Sequence, residues 1–256
     1  MSDAGELMTY LASNRNEAGS NAAGGAVHVR TVVGVVAALL GIFALWILVA
    51  ELTSPRVSYF PSSPDEAAAM YAVRGPALTA AEVGMVRGDL WTVASIFTAT
   101  PLLFGATGNS PEQVSPAELE KIRTIADRAA RLSPHDSRIW LVLAALNFRL
   151  DGKNLRGTET LKLSYYTGPN EIAVMPLRLL LAVRSNAIFD EEVQSLVPLD
   201  IRRIIMQRPD LKPAIELAYR NALPKGREII EAALKQTDPS FLVTIVVPRR
   251  GDQVPD

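Results

Sequence analysis

Residues 31–50 read TVVGVVAALLGIFALWILVA. The run carries no charged side chain, and 12 of its 20 residues are Leu, Ile, Val or Phe. Wound as an α-helix it would be about 30 Å long, the thickness of a bilayer's hydrocarbon core. At roughly −0.3 to −0.6 kcal/mol for each large apolar residue, insertion gains about −4 to −7 kcal/mol, an upper bound because such values hold at mid-bilayer. Arg30 precedes the run, Glu51 follows it, and Pro55 stops the helix soon after. Trp46 lies toward the distal end, where interfacial aromatics sit. Residues 31–52 therefore read as a transmembrane helix solvated by membrane lipid. Uncharged runs this long are rarely soluble core helices. A cleaved signal peptide fits poorly, because 30 residues precede the run and no small-x-small site follows it. The expectation is an uncleaved signal anchor.

Gly34, Ala38 and Gly41 share one face of this helix. Small residues let membrane helices approach closely, so this face would serve transmembrane packing and a homodimer. Arg15, Arg30 and the amino terminus lie before the run, and Arg56 is the nearest basic residue after it. This weak positive-inside bias puts the N-terminus in the cytoplasm and the bulk of the chain across the inner (cytoplasmic) membrane, in the periplasm of a bacterial source.

Composition narrows the function classes. The chain has 256 residues, 26 basic and 27 acidic side chains, two His and no Cys. Phosphate neutralisation needs a basic excess, so the balanced charge argues against nucleic-acid binding. The missing cysteines exclude disulfides, thiolate zinc sites and a cysteine nucleophile. Two histidines, His28 and His135, exclude a histidine-rich metal site.

Residues 1–30 are rich in Gly, Ala, Ser and Asn and read as a disordered cytoplasmic tail. Residues 53–64, with Pro55, Pro61 and Pro64 among Ser and Thr, read as an extended stalk. The expected fold class is all-α: the membrane helix, then helices throughout 65–247, then a frayed tail over 248–256. Ser63-Pro64-Asp65-Glu66 and Ser115-Pro116-Ala117-Glu118 both place a hydroxyl at the N-cap, Pro at the first helical position and Glu three residues after the cap. Residues 117–132 then carry Leu119, Ile122, Ile125, Ala126, Ala129 and Leu132 at helical spacing. Residues 83–104 read as helix, with a break near Thr98–Pro101, and 105–114 as a polar loop. Residues 137–150 are apolar almost all round, which marks a central buried helix. Further helices are expected over 158–166, 171–184, 190–196, 200–207, 210–221 and 225–236, with prolines at several boundaries. The run 241–247 is β-branched and apolar, and reads as a short strand or an extended segment.

Pro134 and Pro169 stand 35 residues apart, each after a helix end and before a polar pair and another apolar helix. With Pro134 set as a repeat-closing proline, Ala126 and Ala129 fall at small positions, and Trp140, Leu143 and Ala144 match a Trp-x-x-Leu-Gly block. Over residues 117–184 this resembles the tetratricopeptide repeat (TPR), whose period is 34. Asn147 stands where that family has an aromatic, and 157–163 match its second helix poorly. The resemblance implies a stack of antiparallel helix pairs whose concave surface binds other proteins. Its partner-facing positions would be Arg138, Leu141, Ala145 and Phe148, with Arg138 and Phe148 the principal partner-binding residues.

No catalytic, cofactor-binding or metal-binding residues are expected. Ser133, His135, Asp136 and Ser137 lie on one turn, where triad geometry is not available; Asp136 or Ser137 is expected to cap the next helix. The acidic cluster Asp190-Glu191-Glu192 suits the first turn of a helix. Arg-Gly-Asp at 87–89 and at 250–252 has the look of chance, the first lying inside helix. No phosphate loop, GxGxxG or GxSxG occurs. Small anchored proteins of this appearance resemble accessory proteins of bacterial surface-polysaccharide synthesis or export. The expectation is a non-enzymatic scaffold binding membrane or periplasmic proteins; an assembly factor for another envelope machine and a carboxylate-dependent enzyme are the alternatives.

Overall fold

The computed structural model describes residues 30–55, 60–61, 64–104, 115–150 and 155–246. Twelve α-helices and three 3-10 turns make up the secondary structure of these residues, and no strand occurs among them. The chain divides into two compact units, with the boundary between Leu52 and Thr53.

In the first unit the described residues form helix α1, Arg30–Thr53, which is long and apolar enough to cross a membrane. Its side chains from Val32 to Leu45 are exposed all round. The Phe43 and Trp46 rings meet at 5.5 Å in a tilted arrangement.

In the second unit, α2 (Pro64–Ala72), α3 (Arg74–Gly84) and α4 (Gly88–Phe104) are followed by α5 (Pro116–Leu132), α6 (Ser137–Leu150) and α7 (Leu155–Thr167). Then come α8 (Met175–Arg184), α9 (Glu191–Gln207), α10 (Lys212–Asn221), α11 (Pro224–Thr237) and α12 (Pro239–Val246). Three helices form the core. α4 packs on α2, α3, α5 and α6; α6 on α4, α5 and α7; α8 on α9, α10 and α11. Each has a long buried run, from Leu90 to Thr100, Leu141 to Leu146 and Leu177 to Val183. The amphipathic helices cover them: α5 buries Leu119, Ile122, Ile125, Ala126 and Ala129, the face its spacing predicts, while Leu132 in the last turn stays exposed.

The helix starts follow local chemistry. Ser115 accepts from the Glu118 amide at 3.2 Å, and the Glu118 carboxylate accepts from the Ser115 amide at 3.1 Å, a complete capping box. The second expected cap, Ser63, lies outside the described residues, although α2 begins at Pro64 as its motif requires. Asp136 opens α6 by accepting from the Arg138 amide at 3.0 Å.

Four expectations change. Residues 83–104 are two helices, because Met85 adopts a φ of 45°. Its carbonyl is held there by the Trp91 indole N–H at 3.0 Å and by Arg128 at 3.4 Å. Arg87 thus lies in the turn rather than in helix, and it pairs with Asp89 at 2.6 Å; the second Arg-Gly-Asp lies outside the described residues. Pro101 does not break α4, nor Pro198 α9. Each proline removes an N–H, yet burial of the helix face on neighbours outweighs that loss. Residues 239–246 are helix, not strand. Asp238 accepts from the Phe241 amide at 3.0 Å and so caps α12, with Pro239 at the first position.

Lys212 on α10 reaches Asp238 at 2.7 Å and ties the start of α12 in place. Lys212, the Ser240 hydroxyl and the Phe241 amide together hold the Asp238 carboxyl at about 2, below its ordinary 3.8. A depressed carboxyl contributes stability that is present above the ordinary value and lost as pH falls through the folded one. The thermal midpoint should therefore fall as pH drops from about 4 to 2, and Asp238→Asn should flatten part of that slope, read by circular dichroism of the full chain in detergent. Ser115→Ala should cost about 1 kcal/mol in a urea titration, the usual loss of an N-cap.

Candidate functional site

An open groove of about 500 Å³ lies on the surface of the second unit. Asn147 of α6 lines it, with Leu155, Arg156, Thr158, Glu159 and Thr160 from the first turns of α7, and Asn186 and Asp190 from the α8–α9 connection. Asn147 is the position where the TPR pattern has an aromatic. Here its amide bridges three helices: Arg123 of α5 donates to its Oδ1 at 3.2 Å, and its Nδ2 donates to Thr160 of α7 at 3.0 Å. Asn147 thus sets an amide in the groove lining where an aromatic would stand.

One lysine organises the wall. Lys162 pairs with Glu159 at 2.8 Å, Asp190 at 3.3 Å and Glu192 at 3.5 Å. These partners raise the Lys162 ammonium above its ordinary value against its burial, Glu159 making the largest contribution. Asp190 also caps α9, accepting from the Glu192 and Val193 amides at 3.0 and 3.1 Å. Burial pushes the Asp190 carboxyl up, but the Val193 amide and Lys162 outweigh it and hold the group low. The acidic cluster is thus a helix start locked to α7. Among the described residues no group of three His, Asp or Glu side chains could hold a metal ion.

The expected partner-binding residues lie elsewhere. Arg138 is half-buried and paired with Asp136 at 2.7 Å, which raises its pKa against the effect of burial. Phe148 lies flat against Gly157 of α7; a Cβ there would meet its ring at 2.3 Å, so only glycine allows the approach. Leu141 and Ala145, expected on an exposed face, are buried. The reason is that α6 is enclosed by α4, α5 and α7 together and has no free apolar face over its first two turns. His135 stands exposed in its turn. On α1, open space surrounds the positions a Cβ would take at Gly34 and Gly41, and Ala38 is exposed beside them.

A buried charged cluster joins α7, α8 and α9, and the sequence does not reveal it. Arg178 of α8 and Asp200 of α9 are fully buried and form a bidentate pair at 2.8 and 2.7 Å. The remaining Arg178 nitrogen donates to the carbonyls of Ser164 and Gly168 at 3.0 Å each, closing the C-terminal end of α7. The guanidinium also lies 4.2 Å from the centre of the Tyr165 ring. Burial pushes the Asp200 carboxyl up against the pull of Arg178. Burial likewise drives the Tyr165 phenol well above its ordinary value, with the Asp200 charge adding to it, although its hydroxyl completes no hydrogen bond. Gly168 lets this α7–α8 turn meet Ser137 at the start of α6; a Cβ would come within 2.5 Å of the Ser137 Cβ. Ser137 in turn bonds Glu171. The only sequence sign of the cluster was an Arg inside the apolar run of α8.

No protein family, curated protein or solved structure matches the chain. The class the chain can be given is therefore structural: an all-α protein with one N-terminal helix long and apolar enough to span a membrane.

Arg178→Met leaves Asp200 buried and unpaired, and should destabilise the second unit by about 3–5 kcal/mol. Replacing both residues together, Arg178→Met with Asp200→Leu, should be much milder, since it removes both desolvated charges. Paired urea titrations of the two variants would check this; equal losses would mean that the carbonyl contacts of Arg178 dominate.

Proposed function

We propose that this protein is a non-enzymatic, membrane-anchored scaffold. In this reading α1 spans the inner membrane with the N-terminus cytoplasmic, and a TPR-like helical unit binds membrane or periplasmic proteins on the far side. The observation that carries it is the contrast between the two units. One is an apolar helix exposed all round from Val32 to Leu45, and the other has a core of its own. Anchoring confines the helical unit to a surface and raises its effective concentration near other membrane proteins.

The TPR-like character draws support from the small buried Ala126 and Ala129, from the Trp140 indole donating to the Pro134 carbonyl at 2.7 Å, and from the meeting of the Gly168 turn with Ser137. The groove on α6, α7 and the α8–α9 connection is the docking site in this reading. Its charges and amides, set among apolar surface, suit a peptide segment of a partner that carries both polar and apolar side chains. Arg138 and Phe148 contribute by holding the α6 start and the α6–α7 contact, so they act on partner binding through the scaffold. The Gly34, Ala38 and Gly41 face remains available to a second membrane helix. Accessory work in surface-polysaccharide synthesis or export is the pathway we assign to such a scaffold.

The test is affinity purification of the full chain from detergent-solubilised membranes. A reproducible co-purifying protein is expected with the parent chain, and its loss with Arg156→Glu, which reverses a groove charge. Lys225→Glu on α11 should retain it. No reproducible partner would defeat the scaffold reading, and a reporter placing the C-terminus in the cytoplasm would defeat the orientation.

A further inference from the structure

The charges of the groove on α6, α7 and the α8–α9 connection are not equally satisfied. On α7, Arg156 and Thr160 are four positions apart and share a face, about 40° from each other around the helix. Thr160 accepts from Asn147 of α6 at 3.0 Å, so that face is turned to α6. Lys162 lies about 120° round the helix from Arg156, and it gathers Glu159, Asp190 and Glu192. Both carboxylates of the lining, Glu159 and Asp190, are therefore engaged within the protein, and Asp190 also accepts from two α9 amides.

The cations toward α6 have no such partners. Among the described residues the Arg156 guanidinium, in the groove lining, makes neither an ion pair nor a hydrogen bond. Arg123 of α5 is half-buried and also holds no carboxylate; its partner is the neutral Asn147 Oδ1 at 3.2 Å. Neither cation is explained by its own helix. Arg156 stands in the first turn of α7, the positive end of the helix dipole, where acidic residues are favoured and none occurs. Arg123 is in the middle of α5, away from both ends. A guanidinium partly withdrawn from water beside neutral amides lacks the counter-charge that ordinarily offsets its desolvation.

We propose that this groove recognises an acidic segment of a partner protein, a carboxylate side chain of the segment accepting from Arg156 and supplying the counter-charge that Arg156 and Arg123 lack. The inference rests on the scaffold reading and names the chemistry of the segment docked there. A peptide suits the groove better than an anionic glycan, because Leu155 lies in the lining and is 70% exposed, which puts apolar surface next to the cation. A segment that alternates acidic and apolar side chains meets both. A basic segment would meet Arg156 with like charge and find the lining carboxylates already bound to Lys162.

The probe is the peptide Ser-Leu-Glu-Leu-Glu-Ser carrying a neutral dye, with Gln and Lys versions in which both Glu are replaced. Each is titrated with the full chain in non-ionic detergent micelles and read by fluorescence polarisation, with empty micelles as the blank. The Glu version should bind about tenfold more tightly than the Gln version, the factor a charge-assisted hydrogen bond supplies, and the Lys version more weakly than either. Arg156→Glu should reverse the preference toward Lys, whereas Lys225→Glu, an equal charge change on α11, should keep it. Arg123→Gln should weaken the Glu version several-fold. Equal or undetectable binding of the three versions, or tightest binding of the Lys version by the parent chain, would overturn the proposal. Tighter binding of an oligogalacturonate of equal charge would overturn the choice of a protein segment. A partner that co-purifies with the parent, with no Glu preference, keeps the scaffold and removes the acidic chemistry. A Glu preference with no partner recovered from membranes overturns the scaffold reading and leaves the groove its acidic ligand.

Discussion

An apolar helix must be solvated by something, and each long apolar helix in this chain answers that constraint differently. α4, α6 and α8 are enclosed by neighbours, and their side chains reach the burial expected of a protein interior. α1 is as apolar as any of them, yet none of its most apolar stretch is buried. At roughly 25 cal/mol for each Å² of apolar surface, a helix of this length left in water would be prohibitively unfavourable. The apolar mass of α1 thus makes sense with lipid as its solvent, and the amphipathic faces of α5, α10 and α11 make sense with water on one side and the core helices on the other.

The cored unit contains one exception to apolar packing. Arg178 and Asp200 sit where a methionine and a leucine would fit, and a buried pair of this kind is weak evidence for stability. What it supplies is direction. The guanidinium satisfies two carbonyls at the end of α7 while it holds a carboxylate of α9, so three helices must meet in one register for any of these groups to be satisfied. An apolar replacement would tolerate sliding between the helices; a fork of fixed geometry does not. The groove takes its α7 residues from the first turns of the helix, and Lys162 repeats the theme at the surface with Glu159, Asp190 and Glu192.

How much of this was legible in the sequence depended on the range of the interaction. α1 was legible because its signal is local and long. The start of α5 was legible because a capping box is complete within four residues, and its buried face because the spacing repeats over four turns. α12 was misread for a local reason that was itself on the page. Phe241, Val243, Thr244, Ile245 and Val246 favour strand, but Asp238-Pro239 is a cap followed by a first-position proline, and the cap prevailed over the weaker propensities. Pro198 was overweighted in the same way, since a single lost hydrogen bond is outweighed by the burial of Val193, Val197, Ile201 and Ile204 along α9. The Arg178–Asp200 pair, the Phe148–Gly157 contact and the groove were not legible. Each joins residues from different helices, and no period in the chain announces which ones meet.

These separate failures share a consequence for function. TPR-like reasoning assigns the outward positions of α6 to partners, on the premise that the first helix of a pair has a free face. Here α6 is sandwiched, so Leu141 and Ala145 go to the core, and Phe148 to Gly157 of α7. In the scaffold reading we propose, the surface left for recognition is the start of α7 and the α8–α9 connection, where Asn147 stands at the aromatic position of the TPR pattern. In that reading its carboxylates, amides and Arg156 would exchange hydrogen bonds with a partner segment, while its apolar lining would pack against it. If α1 anchors the chain as proposed, confinement beside a membrane is the physical means by which a modest affinity at such a surface would become sustained association.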